Sequence, residues 1–139
     1  MKTARIKWVE NLKFVGDAPS GHSILMDGPP DSGGEDVAVR PGELTLVALG
    51  GCTGIDVVSI LKKMRQQIDS FEVIVNADSR DEHPKTWSKL HLKYILKGKN
   101  LDESKIKTAI ELSQDKYCSV SAIMKKSAEL TWEYQIIPD

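Results

Sequence analysis

The run from residue 42 to residue 67, GELTLVALGGCTGIDVVSILKKMRQQ, contains no proline, and Pro41 immediately before it suits a first helical position. At ~1.5 Å per residue it predicts one helix of up to about 39 Å. Leu44, Leu46, Val47, Ala48, Leu49, Ile55, Val57, Val58, Ile60 and Leu61 point in almost every direction around its axis. A helix that is apolar all round has to be buried all round. Only Lys62, Lys63, Arg65, Gln66 and Gln67 return the segment to water. The rest of the chain must therefore supply cover for every side of this helix.

That cover is read from strand alternation. Short strands are expected at residues 4–9, 12–15 and 22–27, with Ile6 and Trp8 on one side of the first, and with Gly16, Pro19, Ser20 and Gly21 separating the second from the third. Residues 28–41, GPPDSGGEDVAVRP, hold too many prolines and glycines for regular structure and predict a long, mobile loop. Beyond the helix, Phe71, Val73 and Val75 form one alternating strand, and Leu90, Leu92, Tyr94 and Leu96 form another. The polar turn RDEHPKT joins them. Asp102 caps a helix with Ile106, Ala109, Ile110 and Ser113 on one stripe, Cys118 opens a second short helix, and Leu130, Trp132, Tyr134 and Ile136 mark the last strand. The order is β-β-β-α-β-β-α-α-β, an α+β fold with a six-stranded antiparallel sheet. One such sheet has one dry face, which covers one side of the central helix. The remaining sides predict a homodimer in which two central helices pack together between two sheets, with Gly50 and Gly51 admitting a close neighbour.

Composition limits what such a fold does. The chain has 139 residues, 19 basic and 20 acidic, for a net charge of -1, so phosphate backbones and anionic lipid are poor partners. We read residues 1–139 as a single domain. No run is read as a membrane span or signal peptide, and the expected location is the cytoplasm. The two cysteines, Cys52 and Cys118, are then more apt to be buried or redox-active than a structural staple. Cys52 lies mid-helix behind two glycines that cost about 1 kcal/mol each relative to alanine, with Asp56 one turn on along the same face. Cys118 at a helix N-terminus faces a dipole that favours thiolate. Whether the two sulfurs meet is not set by spacing. His22, His83 and His91 share no ligand spacing with either cysteine, so no metal is expected.

The segments RPGELTLVALGGCTGIDVVSIL and KYCSVSAIMKK resemble the two cysteine motifs of the OsmC/Ohr family, closest to its YhfA-like branch, and the resemblance extends over essentially the whole chain. It implies an intertwined α+β homodimer, antiparallel sheets wrapped around two long central helices, and thiol-dependent reduction of organic hydroperoxides in an antioxidant role. It further implies that Cys52 is the attacking cysteine and Cys118 the resolving one, with an external dithiol such as a lipoyl group as reductant and no bound cofactor. Two departures stand out. The family's glutamate ten residues before the reactive cysteine is Gly42 here, with Glu43 following it; and no arginine occurs in residues 12–16 or 22–28, leaving Arg40 as the nearest substitute. Nine residues along a straight helix put Glu43 about 180° and ~13.5 Å from Cys52, so it would act only across the dimer. The competing expectation is a non-catalytic dimer that binds a small apolar or thiol-reactive ligand at the interface.

The all-round apolar helix yields a direct prediction. The protein should sediment as a dimer at micromolar concentration, and a cooperatively folded monomer under those conditions would contradict it.

Overall fold

A computed structural model describes residues 1–138. The chain forms two compact units, residues 1–45 and residues from Leu46 onward.

The first unit is an antiparallel meander of β1 (Arg5–Glu10), β2 (Lys13–Asp17) and β3 (Ser23–Met26), in that spatial order. Trp8 pairs with Phe14, and Phe14 with Met26. Gly16 lies inside β2 and is not a separator: a Cβ there would come within 3.3 Å of the Met26 side chain, so its smallness serves packing. The loop that follows is not the loose segment its composition suggests. The buried Asp27 carboxylate accepts the backbone N–H groups of Gly28 (2.7 Å), Glu35 (3.1 Å) and Val37 (3.3 Å), and Met26 bridges to Val39. One buried acidic group gathers the loop's donors, which otherwise have no ladder to join.

α1 (Pro41–Lys63) begins in the first unit and runs on through the second, as its proline-free sequence requires. It is followed by β4 (Ile68–Ser79), β5 (Trp87–Gly98), α2 (Glu103–Leu112), a π-helical turn at Ser113–Tyr117, α3 (Ser119–Met124) and β6 (Glu129–Ile137). The spatial order is β4-β5-β6, with β4 antiparallel and β6 parallel to β5. The expected six-stranded antiparallel sheet is thus two sheets of three, the second mixed. Its parallel pair follows from the connection, since α2 and α3 carry the chain back to the end of the sheet where β5 began. Alternation misses this because the sheet is packed on one face only, whatever the direction of its edge strand.

The core of the second unit lies between that dry face and two helices. Leu90, Leu92, Tyr94 and Leu96 of β5 cluster with Leu49, Val57 and Leu61 of α1 and with Ile106, Ala109 and Ile110 of α2. The α2 stripe is as its sequence predicts, and Asp102 caps the helix by accepting from Ser104 N at 3.0 Å. On α1 the fully buried positions are Leu49, Thr53, Val57 and Leu61, a single i, i+4 line. The other directions are not covered within one chain: Ile55 is 74% and Val47 64% exposed. α1 also exceeds the expectation that no segment suits a membrane, because its length and a mean hydropathy of 1.9 meet that criterion. Only 28% of that apolar window is buried within the chain, along the line that faces the sheet.

The Asp27 hub makes a pH-dependent prediction. Burial acts to raise this carboxyl, but the amide donors of Val37, Gly28 and Glu35 outweigh it and hold it below the ordinary carboxylate value. A group depressed on folding stabilises above its unfolded value and loses that contribution as pH falls through its folded one. The Gly28, Glu35 and Val37 amides should therefore be protected from hydrogen exchange near neutrality and lose protection in acid. Asp27→Asn should leave them unprotected at both pH values, and equal protection in the variant would contradict the hub.

Candidate functional site

Thr53 is the polar position on the buried line of α1, and its hydroxyl is the centre of a closed network. Ser113 Oγ donates to Asp56 Oδ2 at 3.0 Å, which uses its only proton. The 2.7 Å contact between Thr53 Oγ1 and Ser113 Oγ therefore has Thr53 as donor. Thr53 Oγ1, its own proton spent, accepts from Tyr94 Oη at 2.6 Å and from Gln114 Nε2 at 3.0 Å. Gln114 Nε2 also donates to Tyr94 Oη at 3.1 Å. The hydroxyl protons of Tyr94, Thr53 and Ser113 thus all point along the relay towards Asp56. Burial pushes the Tyr94 phenol up to about 12 against the pull of its Thr53 and Gln114 hydrogen bonds, so it stays a donor through the physiological range.

Asp56 carries this network to the two thiols. Cys52 and Asp56, at i and i+4, share a face of α1, and α3 presents Cys118 from its N-cap. Cys52 Sγ, Cys118 Sγ and an Asp56 oxygen all lie within 4.8 Å of one another. Both cysteines are free, Cys52 partly exposed and Cys118 only 3% exposed. The Cys118 backbone is fixed by its N–H to Ser113 O at 2.7 Å, and its sulfur accepts from Ser121 N at 3.3 Å. The π-helical turn before it brings Ser113 and Gln114 inward, and Lys125 Nζ donates to Gln114 O at 2.6 Å.

The helix-cap position predicted for Cys118 is correct, but its expected electrostatic result is not. Burial pushes the Cys118 thiol up; the Ser121 hydroxyl and amide oppose this, and the neighbouring Cys52 sulfur adds to the rise. Desolvation outweighs the Ser121 hydrogen bonds. Cys118 is thus held as a thiol.

Arg40 and Glu43 belong to the first unit and are engaged there. Arg40 Nη2 pairs with Asp36 Oδ1 at 2.7 Å, and Nη1 donates to Ala38 O at 3.0 Å. Glu43 Oε1 accepts the Arg40 backbone N–H at 2.9 Å, which caps the start of α1. The network members Thr53, Tyr94, Ser113 and Gln114 are not singled out by sequence reasoning as functional. Ser113 on the otherwise apolar α2 stripe is the one signal that could have found them.

The family profile described as OsmC-like protein matches residues 33–133. The chain is 43% identical over 134 residues to Protein YhfA of Escherichia coli K12, covering 96% of this chain and 97% of that one. A crystal structure of a hypothetical protein from Aquifex aeolicus VF5 superimposes with a TM-score of 0.82 at 32% identity, covering 99% of this chain and 98% of the other. An organic hydroperoxide resistance protein from Elizabethkingia anophelis, at 16% identity, shares the fold with a TM-score of 0.68 over 97% of this chain and 100% of its own.

Thr53→Val tests the network. It keeps the side-chain shape but removes the acceptor for Tyr94 and Gln114 and the donor to Ser113, and should cost about 1–3 kcal/mol in urea unfolding. A change under a few tenths would show that these buried groups do not depend on Thr53.

Proposed function

Because the chain belongs to the OsmC-like protein family, we propose that it is a cytoplasmic thiol peroxidase that reduces organic hydroperoxides, with Cys52 as the attacking thiol and Cys118 as the resolving one. The observation that carries this reading is the approach of the two sulfurs and the Asp56 carboxylate to within 4.8 Å across α1 and α3. Roles follow from burial. Cys52 is the more accessible sulfur, whereas Cys118 is enclosed and held protonated, as suits a group that waits for an intermediate.

In the first step the Cys52 thiolate attacks the terminal oxygen of ROOH, the O–O bond breaks, and the alkoxide leaves and is protonated to the alcohol. Cys52 is then a sulfenic acid. Cys118 attacks that sulfur, its proton and the sulfenic hydroxyl leave as water, and a disulfide forms. An external dithiol, oxidised to its own disulfide, returns both cysteines to thiols. The cycle uses only these two thiols, the peroxide and the dithiol.

OsmC-family proteins are commonly dimeric, and a homodimer belongs to this proposal. Val47, Gly51, Ile55 and Val58 of α1, with Phe71 and Val73 of β4, line an open apolar groove of about 920 Å³. A second copy would cover it and so satisfy the sides of α1 that one chain leaves wet. Gly50 serves a different contact: its missing Cβ would stand 3.2 Å from the Val75 side chain, so the glycine admits the chain's own β4. We assign Arg40 and Glu43 as charged groups contributed across the dimer, with Arg40 first released from Asp36. That engagement of Arg40 favours the alternative, a non-catalytic dimer binding a small apolar molecule in the groove.

Stopped-flow mixing of reduced protein with cumene hydroperoxide should consume one peroxide and two thiols per chain. Cys52→Ser should abolish the reaction, and Cys118→Ser should stop it at the sulfenic acid. Survival of both thiols under modest excess peroxide at neutral pH would overturn the peroxidase in favour of the binding protein.

A further inference from the structure

The same cluster is a ligand set for a metal, and the histidine spacing that argued against one does not bear on it. Two thiols and a carboxylate come together from separate elements, Cys52 and Asp56 from one face of α1 and Cys118 from the N-cap of α3. A tetrahedral zinc with about 2.3 Å bonds to sulfur and about 2.1 Å to oxygen needs its ligands roughly 3.6–3.8 Å apart. The observed separations, none above 4.8 Å, close to those values with side-chain movements of about 1 Å.

Two of the three ligands are already oriented by outer contacts of the kind metal sites use. Ser113 Oγ donates to Asp56 Oδ2 at 3.0 Å and is itself held by Thr53, and Ser121 N donates to Cys118 Sγ at 3.3 Å. Once deprotonated, the three ligands would carry three negative charges in a partly buried space, which a thiophilic divalent cation reduces to one and an alkali cation only to two. We propose that the reduced protein binds one zinc-class divalent cation through Cys52, Cys118 and Asp56, with a fourth position open to water.

Binding takes both sulfurs as thiolates, so protons compete with the metal for them. It also ties up the attacking sulfur, so metal and peroxide compete for Cys52. Oxidation then ejects the metal: two thiolates, ROOH and two protons become the disulfide, the alcohol and water, and the cation is left without sulfur ligands. This last step rests on the peroxidase reading, whereas binding by the dithiol does not.

The test titrates reduced protein with Zn²⁺ against a chromophoric chelator, without peroxide, and repeats it with Cd²⁺ to follow the ultraviolet cadmium–thiolate band. One ion per chain and a band from two thiolates are expected. Zn²⁺ should protect Cys52 and Cys118 together from alkylation in the unmutated chain. Asp56→Asn should weaken Zn²⁺ binding by about 10-fold or more with unchanged far-ultraviolet circular dichroism. No retained ion, protection of one cysteine alone, or undiminished affinity in Asp56→Asn would overturn the site. If zinc binds as described but peroxide leaves the metal-free thiols intact, the peroxidase falls and the metal site stands; the reverse pattern removes only the metal site.

Discussion

Four positions of α1 a turn apart, Leu49, Thr53, Val57 and Leu61, are fully buried, and the one hydroxyl among them is held from three directions. Apolar contacts alone would tolerate some rotation of a helix whose surface is greasy throughout. The Thr53 hydroxyl does not, because turning it away strands Tyr94, Ser113 and Gln114 in the core. With ~100° per residue, this pin fixes the direction of every other α1 side chain. Measured from Thr53, Asp56 and Cys52 fall about 60° and 100° to one side, and Gly54, Val47, Val58 and Gly51 about 100–160° to the other. The helix is thus divided into a core sector, a reactive sector and an uncovered apolar sector.

Each sector has a separate consequence. The reactive one meets α3, whose N-cap cysteine completes the sulfur pair, and the directed hydrogen bonds from Tyr94 to Asp56 keep the carboxylate as the acceptor between them. The uncovered one forms the groove against β4 and is the surface that a second copy would close. The thiol pair and the open apolar groove therefore lie on different faces of one helix. Glycine at 50 and 54 lets α1 lie close on Val73, Val75 and Phe71.

Much of this was legible in the chain because it is local and periodic. The start of α1, the α2 stripe, the cap at Asp102 and the position of Cys118 each follow from patterns within a few residues, whereas α1 stops at Lys63, short of the expected Gln67, where Arg65 turns to a positive φ. The parallel pairing of β6 was not, since alternation reports a wet face and a dry face but no strand direction. The Thr53 network joins residues as distant in sequence as Thr53 and Gln114, and no period links them. Asp27 stands at the end of an expected strand beside a polar loop, and nothing in the sequence marks it as buried where Asp31 is exposed. Cys118 shows the opposite case: its place was readable, but its protonation depends on burial that only the fold reveals.

The central claim is that α1 and α3 of one chain bring Cys52 and Cys118 together as a working pair. The most direct measurement is non-reducing peptide mapping by mass spectrometry after one equivalent of organic hydroperoxide, using mixed light and heavy isotope-labelled protein. A Cys52–Cys118 disulfide should appear only within light or within heavy chains. Light–heavy crosslinks, or no disulfide between these residues, would contradict the account.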